Sequence, residues 1–266
     1  MDIHKPKPWH GWREFLKEYV IIVVGVLTAL GAEQGVEWLH WRHQVRETEE
    51  RLLPEVQRNL LDLAERVVQR PCLAQRTVEL RDALLQSNGR WQANADRVST
   101  LAGSNVAKPN PSLAEVADDV RRLSGRPMPE VYEDTVRPWR DTVFQSALVA
   151  GVFNQMPPER AAVYASIYRA TTEIRERTAS ERSAKARLSA LAFDGVLSPA
   201  ERADYLNDLG QLDADAAGMA EVSAQQLIAA DKAGLRPKRS AFEKRFPPTS
   251  RFAACRATLS IPLAQN

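Results

Sequence analysis

Histidine is missing beyond position 43; His4, His10, His40 and His43 are all the chain contains. The remainder therefore lacks the base of a Ser-His-Asp or Cys-His arrangement and the commonest ligand of a catalytic zinc. Glycine-rich phosphate loops, a nucleophile elbow and the kinase motif set are absent as well. Charge of one sign is scarce, because 36 Lys and Arg balance 34 Asp and Glu to a formal +2. With no zinc, RRM or helix-turn-helix motif beside it, that balance sets nucleic acid aside as a partner. Cysteine is limited to Cys72 and Cys255. No stretch alternates as a strand does, and no repeat recurs.

What is present is ordinary globular material, 44% hydrophobic and 26% charged, in a chain long enough to build one large domain. It is organised around WREFLKEYVIIVVGVLTALGAEQGVEWLHW, from Trp12 to Trp41. Tyr19 to Ala32 carries no charge, and Gly25, Thr28, Ala29 and Gly31 are small residues of the kind membrane helices use. The uncharged run is shorter than the roughly 20 residues a bilayer core needs, but its flanks lengthen it. Phe15 and Leu16 extend the apolar pattern backwards, and Val36 and Leu39 extend it forwards. Trp9 and Trp12 at one end face Trp38 and Trp41 at the other, like two aromatic belts. Trp12 to Trp38 spans about 39 Å as a helix, close to a bilayer with its interfaces.

We read residues 19–41 as the membrane span and its lipid bilayer as the first partner. Lys5, Lys7, Arg13 and Lys17 precede it, whereas Arg42, Arg46 and Arg51 follow. That asymmetry predicts residues 1–18 in the cytoplasm and a periplasmic domain over 42–234, with a basic tail over 235–266. The competing reading is a signal peptide cleaved near Ala32, which would leave a secreted helical protein. Against it, the helical pattern continues through Val36, Leu39 and Val45.

The segment WREFLKEYVIIVVGVLTALGAEQGVEWLHWRHQ resembles the amino-terminal part of uncharacterised bacterial single-pass membrane proteins, in which Phe-Leu precedes an apolar run with Gly-Val-Leu-x-Ala-Leu. The close match ends near Glu50. More loosely, Trp139, the MPPER segment and Tyr164 look like that family's later helices. The resemblance implies a membrane anchor and a helical domain. It transfers no activity and no functional residue.

Beyond the span, Val45, Leu52, Val56, Leu60, Leu63 and Val67 keep helical phase. The spacing predicts a kink at Pro54, a helix end at Pro71, and a second helix on Leu73, Thr77, Leu80 and Leu84 that stops at Asn88-Gly89. Ser112 and Glu115 predict a short capped helix over 113–123. The stretch from Trp139 to Phe153 is apolar nearly all round, which predicts a helix in the middle of the bundle. Pro157 and Pro158 then open a segment without breakers to Phe193. Gly195 ends it, and Ser198-Pro199-Ala200-Glu201 is a capping box that opens another segment, to Ala233. Two such helices joined by so short a turn are antiparallel. Val163, Ile167, Ile174, Leu188 and Leu191 predict one seam; Tyr205, Leu209, Leu212, Met219 and Leu227 predict the other. The middle, Arg175 to Arg187, is polar, with Ala or Thr expected inward.

The expected fold is thus all-α: a transmembrane helix continuing into an extramembrane bundle around a long helical hairpin. In an oxidising periplasm Cys72 and Cys255 are the natural disulfide. Trp139, Tyr164, Tyr168, Arg169 and Tyr205 are the candidate lining of a small-ligand pocket, with core packing as the alternative. Glu33, Glu37 and His40 share one helix face in a Glu-x-x-His pattern, but a di-iron site needs further carboxylates from other helices, so no metal or cofactor is expected. The tail carries Phe242, Phe246 and Phe252 among seven Lys or Arg between Arg236 and Arg256; it either meets anionic lipid or packs its rings on the bundle. These features predict a non-enzymatic envelope protein whose bundle binds a ligand or partner. That partner is a second copy, which Gly31 and Gly35 would let approach, or another membrane protein. The alternative is an envelope enzyme working with carboxylates alone.

Overall fold

The computed structural model describes residues 11–93, 139–247 and 261–264. Within them the chain is all-α apart from one pair of two-residue strands. The first helix, α1, runs Trp12–Gln86 and contains both Pro54 and Pro71. The helix end expected at Pro71 is therefore corrected: the two helices read from the sequence are one. A proline removes one backbone donor and crowds the carbonyl four residues earlier. Pro54 and Pro71 are both exposed, so water can satisfy the freed groups, and near Pro71 the same helix is anchored by the buried Val68, Thr77 and Leu80. The helix ends where expected, before a turn in which Asn88 and Gly89 both take positive φ.

The chain divides into two compact units, Met1–Leu52 with Val143–Pro157, and Leu53–Thr142 with Pro158–Asn266. The first boundary falls beyond the apolar stretch of α1, and the second unit takes in the described part of the tail, residues 235–247 and 261–264. In the first unit, α1 is followed in sequence by α2 (Thr142–Val149) and a 3₁₀ turn over Val152–Gln155. The all-round apolar pattern here does not make a central helix, which is a second correction. Ala147, Val152 and Met156 are buried, but Leu148 and Val149 are exposed. Eight residues are too few to be enclosed on every side, and the turn at Gly151, with φ of 71°, folds the segment back on itself.

The second unit is built on the hairpin of α3 (Pro158–Leu188) and α4 (Pro199–Lys232). Pairs along it fall in reverse order: Arg160 donates to the carbonyl of Ala233 at 3.1 Å and Arg187 to Asp208 at 2.6–2.9 Å. The expected antiparallel seams are present, with Ile167, Ile174, Leu188, Leu209, Leu212, Met219 and Leu227 buried. Between them the helices come close, since a methyl group on Gly218 would lie 2.7 Å from the Arg177 guanidinium. The capping box forms as read: Ser198 Oγ accepts from Glu201 N at 3.2 Å and Glu201 accepts from Ser198 N at 2.8 Å. Helix α4 closes with Leu235 N–H on Ala230 O and Gly234 N–H on Asp231 O, both 2.9 Å, around Gly234 at φ 75°. This is the paired arrangement by which a left-handed glycine satisfies orphan helix carbonyls.

The expectation of no strands is also corrected. Trp91 in β1 (Arg90–Trp91) pairs antiparallel with Gly195 in β2 (Gly195–Val196). The pairing fixes the end of α1 to the hairpin turn, and Trp91 donates its indole N–H to Leu191 O at 2.8 Å. Around it Leu80, Leu84, Leu188, Leu191, Leu209 and Leu212 form a continuous apolar cluster. The tail contributes α5 (Arg239–Arg245), which buries Phe242 and Phe246 with ring centroids 5.0 Å apart. Ala264 then bridges in parallel to Lys238.

Candidate functional site: a buried polar column

The side of α1 that faces into the second unit carries polar residues at helical spacing: Glu55, Asn59, Asp62, Glu65 and Gln69, all buried. Residues three and four apart on a helix lie one above the other, so these five form a column. The levels are tied to three other parts of the fold and to one another. Glu55 accepts from the Tyr168 hydroxyl of α3 at 2.5 Å. Asn59 closes both its amide ends on the backbone of Arg140, at 2.6 Å and 3.1 Å. Asp62 and Glu65 both meet the Arg245 guanidinium of α5, Glu65 at 3.2 Å, and Gln69 donates to Glu65 at 3.2 Å.

One step around α1, Arg66 donates to Glu181 at 3.2 Å and to Thr178 at 3.3 Å. Glu181, only 1% exposed, also pairs with Lys185 at 2.8 Å. Arg70 reaches Asp213 of α4 at 2.8 Å. The column and Arg66 thus link α1 to α3 and α5 through groups that are costly to bury alone, and Arg70 adds a partly exposed pair to α4. Four carboxylates (Glu55, Asp62, Glu65, Glu181) face three cations (Arg66, Lys185, Arg245) there.

Burial pushes the Asp62 carboxyl above the ordinary carboxylate range, although Arg245 pulls against that shift. A buried carboxylate without full compensation favours its proton. The Tyr168 hydroxyl is driven far above the usual tyrosine range, first by burial and then by its bond to Glu55. It is therefore a fixed donor at any physiological pH. These groups are engaged with one another and sealed from solvent, and what the arrangement does chemically is hold helices in register.

The aromatic residues expected to line a pocket divide between the ends of the hairpin. Tyr164 and Tyr168 are buried near the start of α3, with Arg160 stacked 5.4 Å from the Tyr164 ring centroid. Tyr205 packs instead on the apolar cluster at the far end, beside Leu188 and Leu209. Trp139 is half-buried and Arg169 is exposed. Glu33, Glu37 and His40 are exposed along α1, and among the described residues no group of three His, Cys, Asp or Glu is placed to hold a metal ion. No described cysteine is a free thiol. Cys72 is half-buried on α1, whereas Cys255, Phe252 and the helix expected over 113–123 lie outside the described residues. Glu55, Asn59, Asp62, Glu65 and Gln69 repeat at the same helical spacing as the leucines, and that periodicity is the signal of the column in the sequence.

Among the described residues the chain is all-α, with one helix that by length and composition is long and apolar enough to cross a membrane, near its amino terminus. No family model, curated protein or solved structure matches the chain.

Proposed function

We propose that this is a single-pass protein of the bacterial inner membrane, with its amino terminus in the cytoplasm and a non-enzymatic helical domain in the periplasm that binds a partner. The observation that carries the reading is the contrast along α1. Its apolar window has a mean hydropathy of 1.9 and none of it is buried, yet the same helix supplies the fully buried Leu52, Val56, Leu60 and Leu63 further on. Exposed apolar surface of that extent is stable in lipid and unfavourable in water. The excess of Lys and Arg before the span supports the orientation.

Carboxylates occupied by arginine, lysine and tyrosine inside a packed bundle support a holding role over an enzymatic one. In the periplasm Cys72 and Cys255 form a disulfide that joins the middle of α1 to the tail. The absence of a free thiol at Cys72 supports it, and the entropic model gives such a long loop about 4 to 5 kcal/mol. Thiol labelling under denaturing, non-reducing conditions tests the bridge, and two reactive thiols in protein from its native compartment would exclude it.

An alkaline phosphatase fused after Asn266 tests the placement, because that enzyme needs an oxidising compartment. Activity is expected; an inactive fusion beside an active cytoplasmic reporter at the same position would reverse the orientation. In-cell crosslinking from the bundle surface is expected to capture a membrane or periplasmic protein, or a second copy. Recovery of the chain only as an uncrosslinked monomer would remove the partner-binding role.

A further inference from the structure

In a chain with 26% charged residues, the segment Val143–Pro157 has none: VFQSALVAGVFNQMP. It folds as a self-contained foot. Phe144 and Phe153 pack with ring centroids 5.1 Å apart. Ala150 N–H bonds Ser146 O at 3.0 Å, Gly151 N–H bonds Leu148 O at 3.1 Å, and Asn154 N–H bonds Gly151 O at 3.1 Å. Ala147, Val152 and Met156 are turned inward, while at the tip Leu148 is 53% and Val149 is 88% exposed.

This foot shares its compact unit with only one other segment, Met1–Leu52. From Trp41 onward on that part of α1 the covered positions are Trp41, Gln44, Val45, Thr48, Glu49 and Leu52, which form one helical stripe starting at the last tryptophan of the apolar run. Trp41 to Thr48 is about 10 Å along a helix, comparable with the polar interfacial zone on one side of a bilayer. Arg42 lies exposed over the Trp38 ring, 5.2 Å from its centroid, and Arg46 is exposed one turn on; both suit phosphate headgroups.

From this we propose that Leu148 and Val149 insert into the headgroup boundary of the bilayer that α1 crosses, giving the protein a second, lipid-contacting point beside its span. The proposal rests on the membrane reading above. It explains why two large apolar side chains stand exposed at the tip of an uncharged turn, where a water-facing turn would favour Asn, Asp, Ser or Gly.

The test uses the full chain in vesicles of phosphatidylethanolamine and phosphatidylglycerol, with a diazirine-bearing residue at one of three exposed positions: Ile22 in the span, Val149 at the tip, or Val196, which is 80% exposed in β2. After illumination, lipid adducts are expected at Ile22 and Val149, with labelling at Val149 at least fivefold above that at Val196. Adducts at Ile22 with Val149 no higher than Val196 would overturn the lipid contact and leave the anchor standing. Protein adducts in place of lipid at Val149 would overturn it in favour of a docking surface. No lipid adduct at Ile22 would overturn the anchor and this proposal together.

Discussion

Arg245 shows how much of the second unit depends on one side chain. It projects from the last turn of α5 into the bundle and meets Asp62 and Glu65 together, with all three almost fully buried. Removing one partner of a buried ion pair leaves an uncompensated charge, at a cost of about 3–5 kcal/mol. Arg245→Ala is therefore expected to destabilise the detergent-solubilised chain by that order in urea unfolding. A loss below about 1 kcal/mol, the level of a surface pair, would show that the column is hydrated. Asp62 gives a pH-dependent counterpart. Its pKa is raised above the ordinary 3.8 by burial. Its contribution to stability is thus fully present below 3.8 and lost as pH rises through the higher folded-state value. Asp62→Asn has no such titration, so the difference between the two stability curves should change as pH rises above 3.8. Parallel curves would contradict the assignment.

At the scale of elements, the hairpin was the most legible feature. Pro158, Ser198-Pro199 and Gly234 mark ends with a direct backbone cause and act as read; Gly195 does not, because α3 already ends at Leu188, passes into a 3₁₀ turn over Ser189–Ala192, and Gly195 pairs with Trp91 in β2. Pro71 was misleading because a proline stops a helix only when nothing else holds it; here buried Val68, Thr77 and Leu80 lie on either side. The strand pair at Trp91 and Gly195 was invisible, since two residues show no alternation. Glu181 and Lys185 fall in the polar middle where Ala or Thr is expected inward; their mutual pairing lets them be buried there instead. Gly210 offers an element-level test. It lies exposed inside α4, and a methyl group there meets nothing within 4 Å. Gly210→Ala should stabilise the domain by about 0.5–1 kcal/mol through helix propensity and the restricted unfolded chain, measured by urea unfolding. Destabilisation would mean that α4 is not a regular helix at that point.

At the scale of the whole molecule, the fold class and the apolar segment were legible because both rest on long periodic patterns. The column was not, because sequence reading assigns charge to the surface by default. Everything proposed for the protein's location rests on the apolar stretch of α1 being in lipid. The most direct measurement is alkaline carbonate extraction of membranes from cells expressing the full chain. The account predicts that the protein stays in the membrane pellet as an integral protein does; release into the supernatant, or removal by salt alone, would contradict it.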